Sequence, residues 1–134
     1  MTARITSFSG PYRSLSNFED HGRVEWRFQA SKTLDEEERA WVLSAISAGE
    51  AKRRGRKVTL RPDWEEVKED VMIALLREKF ADPDLAETLL ATYPAELVEG
   101  NRWGDRYWGV CRGVGENRLG VLLMQVRDEL RRSS

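Results

Sequence analysis

Residues 64–80, WEEVKEDVMIALLREKF, decide the fold class. Pro62 and Asp63 stand before the run with Glu66 just inside it, the signature of a helix start, and neither proline nor glycine interrupts the run itself. Trp64, Val67, Val71, Ala74 or Leu75, and Glu78 recur at three- and four-residue spacing, which predicts a long helix with the first-turn tryptophan on its buried stripe. A tryptophan at a helix start is also placed to wall a pocket.

Working outward, the flanks read mostly as helix. Asp82-Pro83 opens a short helix through Leu85, Leu89 and Leu90 that closes at Tyr93-Pro94. Asn117 is expected to cap a last helix with Leu119, Leu122, Leu123, Val126 and Leu130 inward. Gly120 inside that helix costs about 1 kcal/mol against alanine, so another backbone is expected close to it. Upstream, Ser47 and Glu50 form a capping-box pattern for a short basic helix ending at Gly55. Residues 35–46 begin with acids, as a helix dipole favours, and are expected to carry Ala40, Leu43 and Ile46 inward. Residues 24–31, VEWRFQAS, at helical spacing put Val24, Phe28 and Ser31 on one face and Glu25, Gln29 and Lys32 on another. Short strands are expected at 5–8, before irregular backbone around Gly10-Pro11, and at 96–99. The fold class is mainly α with a small β component, and the length suits one compact domain.

Composition narrows the function. Charged residues make up 34% of the 134 and hydrophobic ones 40%, with a net charge of -1, a soluble globular balance. Wholesale non-specific duplex binding would show as a basic excess that is not there. No apolar run approaches the roughly 20 residues of a membrane span, and the start MTARITSFSG lacks the order of a secretory signal, so a cytoplasmic location is the default expectation. Cys111 and His21, each the only residue of its type, are too thin a set for zinc. Cys111 as a nucleophile would need His21 to meet it in space; a small, part-buried thiol is the commoner outcome.

Residues 99–109, EGNRWGDRYWG, are the most suggestive stretch for function. Trp103, Tyr107 and Trp108 surround Asp105 on glycine-punctuated backbone, flanked by Arg102 and Arg106, and no regular period accounts for them. Such a loop offers flat apolar faces to a ring-shaped ligand and a carboxylate to its reactive centre, or it folds its aromatics back as a lid on the core. Glu25 also has two readings. Beside Trp26 and Phe28 it is a partly desolvated carboxylate suited to acid or base work; paired with Arg27 or Lys32 it is a solvated one, the commoner case. The basic run Lys52, Arg53, Arg54, Arg56 and Lys57 is either a solvated face or a holder of phosphate, and Asn17 beside Phe18 either caps a turn or presents an amide to a ligand.

Separate motifs then line up in order: YRSLSNF at 12–18, VEWRFQASKT at 24–33, GEAKRRGRKVTLRPDWEEVKEDVM at 49–72 and LVEGNRWGDRYWGVCRGVGENRLGVLLMQVRDEL at 97–130. Together they resemble the NADAR family, also called YbiA-like, whose members are compact, mainly helical domains with a little sheet. Characterised members are N-glycosidases, some cleaving the ribosylamine bond of early riboflavin-pathway intermediates and others removing ADP-ribose from guanine bases. The resemblance implies Glu25 as the catalytic glutamate, Trp64 as the tryptophan of the RPDW segment and Asp105 as the aspartate before YWG. It implies Asn17, Phe18, Gln29, Lys32, Arg56, Trp103, Tyr107 and Trp108 at or near the substrate. The chain departs from the family pattern at Trp26, where a histidine is usual, and in the short segment EDHGR at 19–23.

Breaking a ribose N-glycosidic bond leaves positive charge on C1' and the ring oxygen while the departing base takes up a proton or negative charge. Two carboxylates, Glu25 and Asp105, suit these demands without fixing which does which, and Trp64 or Trp103 stacking on base or sugar adds roughly 1–3 kcal/mol. No metal and no cofactor are required. The expected partner is a small nucleotide-like substrate or an ADP-ribosylated base, with no membrane and the oligomeric state open. A non-catalytic ADP-ribose or NAD binding module and a structural, partner-binding helical protein stand as alternatives.

Overall fold

The computed structural model describes residues 3–133. Helix accounts for 55% of the described residues and strand for 7%, which makes the fold mainly α as the periodicity indicates. No helix among the described residues is long and apolar enough to cross a membrane. The backbone gathers into two compact units, one of residues 17–79 and one formed by the segments before and after it.

The 17–79 unit holds four helices: α1 (Val24–Ala30), α2 (Glu36–Leu43), α3 (Ala48–Gly55) and α4 (Trp64–Lys79). α1 is central, packing against α2, α3 and α4. Its Trp26 is 2% exposed in a cluster with Ala30, Val42, Ala45, Ala48 and Ala51, whose small side chains leave room for the indole. The indole nitrogen donates to the Ala45 carbonyl at 2.9 Å, so the ring is satisfied as well as buried. That bond also explains a correction. Val42 and Ala45 face the cluster, while Ala40, Leu43 and Ile46, expected inward, are exposed. α2 stops at Leu43, and Ile46 instead gives its amide to Glu50 at 3.1 Å while Ser47 accepts from the Glu50 amide, capping α3.

α4 begins and ends where its residues predict, but its buried stripe is rotated. Trp64, Met72, Leu75, Leu76 and Lys79 are inside, Val67 and Val71 are half-buried, and Ala74 and Glu78 face solvent, with Glu78 paired to Arg27. Lys79 takes the inner position because its stem packs under Gly22, which has a left-handed φ of 74°, and its ammonium lies 3.3 Å from the Glu19 carboxylate. Burial lowers the Lys79 pKa and Glu19 opposes that shift.

In the other unit β1 (Arg4–Ile5) pairs in parallel with β2 (Glu96–Leu97), and β3 (Gly100–Asn101) with β4 (Val110–Cys111). The first strand is shorter than the expected 5–8 and starts earlier, and a 3-10 helix, Gly10–Leu15, replaces the irregular backbone expected after it. α5 (Pro83–Ala91) and α6 (Arg118–Arg132) bury Leu85 and Leu89, and Leu119, Leu122, Leu123 and Val126; Leu90 and Leu130 are half-buried. Cys111 is a buried free thiol.

Asn117 does not cap α6 with its side chain. It sits at a left-handed φ of 53° and instead bridges the strand region, accepting from the Glu99 amide and donating to the Leu97 carbonyl, each at 2.9 Å. The first amides of α6 go to loop carbonyls, Arg118 to Tyr107 and Leu119 to Trp108. The expected close approach at Gly120 is present: a Cβ there would lie 2.2 Å from the Leu97 carbonyl oxygen.

Candidate active site

α1 is the element that builds the site. Glu25 and Gln29 are one helical turn apart, so their side chains meet, and the Gln29 amide donates to Glu25 Oε1 at 2.7 Å. Both are buried, at 6% and 4% exposure, which rejects the solvated reading of Glu25. Arg27, a partner in that reading, turns to Glu78.

The approach to α1 is tied to the same place. The Glu25 amide donates to the Asn17 carbonyl at 3.3 Å, and α1 has no side-chain cap, so Asn17 contributes its backbone rather than a cap. The Asn17 side chain is buried, donates to the Met72 sulfur at 3.5 Å, and leaves Oδ1 without a hydrogen-bond partner. Gln29 Oε1 likewise has none.

Lys32 lies within electrostatic reach of this carboxylate. Lys32 is half-buried, and its ammonium pKa lies below the ordinary lysine range chiefly through burial; Glu25 opposes that shift, and Arg56 and Lys52 reinforce it. Glu25, Arg56 and Lys52 therefore all act on the Lys32 ammonium. Arg54, another member of the basic run, points elsewhere. It pairs with Glu50 and lies 5.1 Å over the Trp41 ring, while Lys52 lies 5.6 Å over the ring of Phe18, which is 43% exposed.

Trp64 belongs to the same unit but to its wall. It is 6% exposed with its ring 5.0 Å from that of Phe28, so little of its face is open to a ligand, contrary to a stacking role. The turn before it is fixed by an Arg61–Asp63 fork, and the Arg61 amide donates to the Lys32 carbonyl at 2.7 Å. Trp26, the departure from the usual histidine, points into the alanine-lined cluster, since neighbouring residues of a helix lie on different faces.

The aromatic loop lies in the other unit, between β3 and β4. Asn101 grips Asp105 at both main-chain ends, accepting from its amide at 3.0 Å and donating to its carbonyl at 2.8 Å. Asp105 Oδ1 in turn accepts the amides of Tyr107 and Trp108 at 3.1 and 2.9 Å. The Tyr107 and Trp108 rings meet edge to face at 4.9 Å, and both are half-buried. Trp103 is 59% exposed, which rejects the lid reading for that residue.

Residues 7–131 match the NADAR domain family. The chain belongs to the NADAR family. The match runs through both units. Among relatives, N-glycosidase YbiA of Escherichia coli (strain K12) is 47% identical over 110 residues, 79% of this chain and 68% of that protein. An N-glycosidase of Nostoc punctiforme is 36% identical over 137 residues, covering 90% and 87% of the two chains. A riboflavin biosynthesis protein of Vibrio vulnificus is 40% identical over 110 residues, 79% of this chain but 30% of its own length. The NMR structure of E. coli YbiA is similar with a TM-score of 0.83 and 40% identity, covering 99% of this chain and 88% of that one. These similarities make this NADAR chain a hydrolase of N-glycosyl bonds.

Proposed function

We propose that this NADAR enzyme hydrolyses the bond between ribose C1' and the amine nitrogen of a phosphate-bearing, nucleotide-like substrate, a phosphoribosylaminopyrimidine before ADP-ribosylated guanine, and that Glu25 is the reacting carboxylate. The observation that carries this reading is the burial of Glu25, with its Oε1 fixed by Gln29 and its charge acting on Lys32. The similarity to a riboflavin biosynthesis protein favours the pyrimidine.

The chemistry follows from charge. As the C1'–N bond lengthens, positive charge develops on C1' and the ring oxygen, and a carboxylate held in place lowers the energy of that cation or takes a proton from the attacking water. Water adds its oxygen to C1', and its proton ends on the departing amine. A carboxylate whose direction is set before the substrate arrives needs no reorganisation during the step. Lys32, Lys52 and Arg56 have the charge to hold phosphate while Glu25 faces the sugar. Phe18 is assigned to the flat part of the substrate, Asn17 to a sugar hydroxyl through its unpaired Oδ1, and Trp64 to the wall behind Phe28. Asp105 is assigned to shaping the aromatic loop, because Oδ1 already serves two loop amides.

A non-catalytic binding module would be favoured by a changed residue facing Glu25, and Trp26 instead lies in the alanine cluster. Incubating the protein with phosphoribosylaminopyrimidines and ADP-ribosylated guanine, and following released base by mass spectrometry, tests the proposal. Release from the pyrimidine substrate supports it; intact recovery of every substrate contradicts it.

A further inference from the structure

We infer that Gly55 is a positioning residue for the reaction: its bare Cα is the surface that holds the Gln29 amide against the Glu25 carboxylate. This rests on the reading of Glu25 as the reacting group.

Gly55 ends α3, where a glycine is ordinarily favoured because it can turn left-handed. Here it does not turn. The helix runs through Gly55, and the following residue, Arg56, is right-handed at φ -76°. Alanine would fit that backbone and favour the helix. What alanine meets is Gln29. A Cβ at 55 would lie 2.0 Å from Gln29 Oε1, 2.8 Å from Cδ and 3.0 Å from Cβ.

Gln29 has nowhere to go. It is 4% exposed, and its amide nitrogen is committed to Glu25 at 2.7 Å. Restoring an ordinary carbon–oxygen contact of about 3.3 Å needs the amide to shift by roughly 1 Å. The same planar group carries the nitrogen, so the shift breaks or bends its bond to Glu25. Through this contact α3 sets the direction of a carboxylate on α1, and the same helix supplies Lys52.

The experiment is a double-mutant cycle on Gly55→Ala and Gln29→Ala, with kcat and KM measured on a phosphoribosylaminopyrimidine and folding followed by circular dichroism and thermal melting. A misplacement of about 1 Å costs on the order of 100-fold, so each single variant is expected to lose about 10- to 100-fold in kcat with KM nearly unchanged. Adding Gly55→Ala to Gln29→Ala is expected to cost little more, because the two closest contacts go with the amide and only the Cβ contact at 3.0 Å remains. Wild-type kcat in folded Gly55→Ala, or losses that multiply in the double variant, overturns the inference. If Gly55→Ala does not fold, the double variant decides: recovered folding supports the clash with Gln29, and an unfolded double variant contradicts it. An inactive Glu25→Gln beside an unimpaired Gly55→Ala overturns this inference alone; an active Glu25→Gln overturns the reading beneath it.

Discussion

Gln29 donates its amide to the Glu25 carboxylate across one turn of α1, at 2.7 Å, and both side chains are buried. A buried carboxylate held by a fixed amide donor keeps one orientation. Exchanging the amide for a second acid tests that arrangement. In Gln29→Glu two carboxylates share one hydrogen bond, and they cannot both ionise at ordinary pH. The acidic limb of the kcat profile is expected to move to higher pH. An unmoved limb would show that Gln29 has no part in setting the reacting group.

Lys32 gives a second dependence on pH. Its pKa lies below the 10.5 of an ordinary lysine because burial disfavours the ammonium, so it loses its charge earlier than a surface lysine as pH rises. KM for a phosphate-bearing substrate is expected to rise on the alkaline side below pH 10.5, and Lys32→Arg, which stays charged, to delay that rise. Stability runs the other way. Between the lowered folded value and 10.5 the unfolded chain holds a proton that the folded protein has released, so the Lys32 contribution to stability increases with pH in that window. Identical KM profiles for wild type and Lys32→Arg would separate Lys32 from the phosphate.

Trp26→His introduces the residue that the family resemblance implies after the glutamate. The indole is 2% exposed, bonded to the Ala45 carbonyl and packed on alanines, so the smaller polar ring is expected to cost about 3 kcal/mol or more in denaturant unfolding. Turnover per folded molecule is expected to stay near wild type. A large gain in kcat would mean that the ring at 26 reaches the reacting carboxylate.

Asp105→Asn and Asp105→Ala divide shaping from chemistry. Asparagine keeps the Oδ1 acceptor for the Tyr107 and Trp108 amides and alanine does not, so thermal stability is expected to fall less in the first than in the second. An equal collapse of kcat in both would put Asp105 in the bond-breaking step.

Much of this was legible in the residues, for reasons that are local. Helical spacing alone puts Glu25 and Gln29 on one face, the Ser47 cap follows from a short-range pattern, and a glycine inside the α6 pattern signals the Leu97 carbonyl that lies against Gly120. The features that could not be read depend on partners distant in sequence. The α4 stripe ends on Lys79 rather than Glu78 because Glu19 and Gly22 receive the lysine. The inward face of α2 is set by the Trp26 bond to Ala45. Gly55 reads as an ordinary helix end, and only the folded position of Gln29 gives it another meaning. Asp105 looks like a free carboxylate among aromatics, while its loop uses Oδ1 as a turn acceptor.

Glu25→Gln is the most direct test of the central claim. The variant keeps the shape of the side chain and removes its charge, so a folded protein with unchanged melting behaviour isolates the chemistry. With base release from a phosphoribosylaminopyrimidine measured by mass spectrometry, turnover is expected to fall by about 1,000-fold or more. Wild-type turnover in the folded variant would contradict the assignment of Glu25.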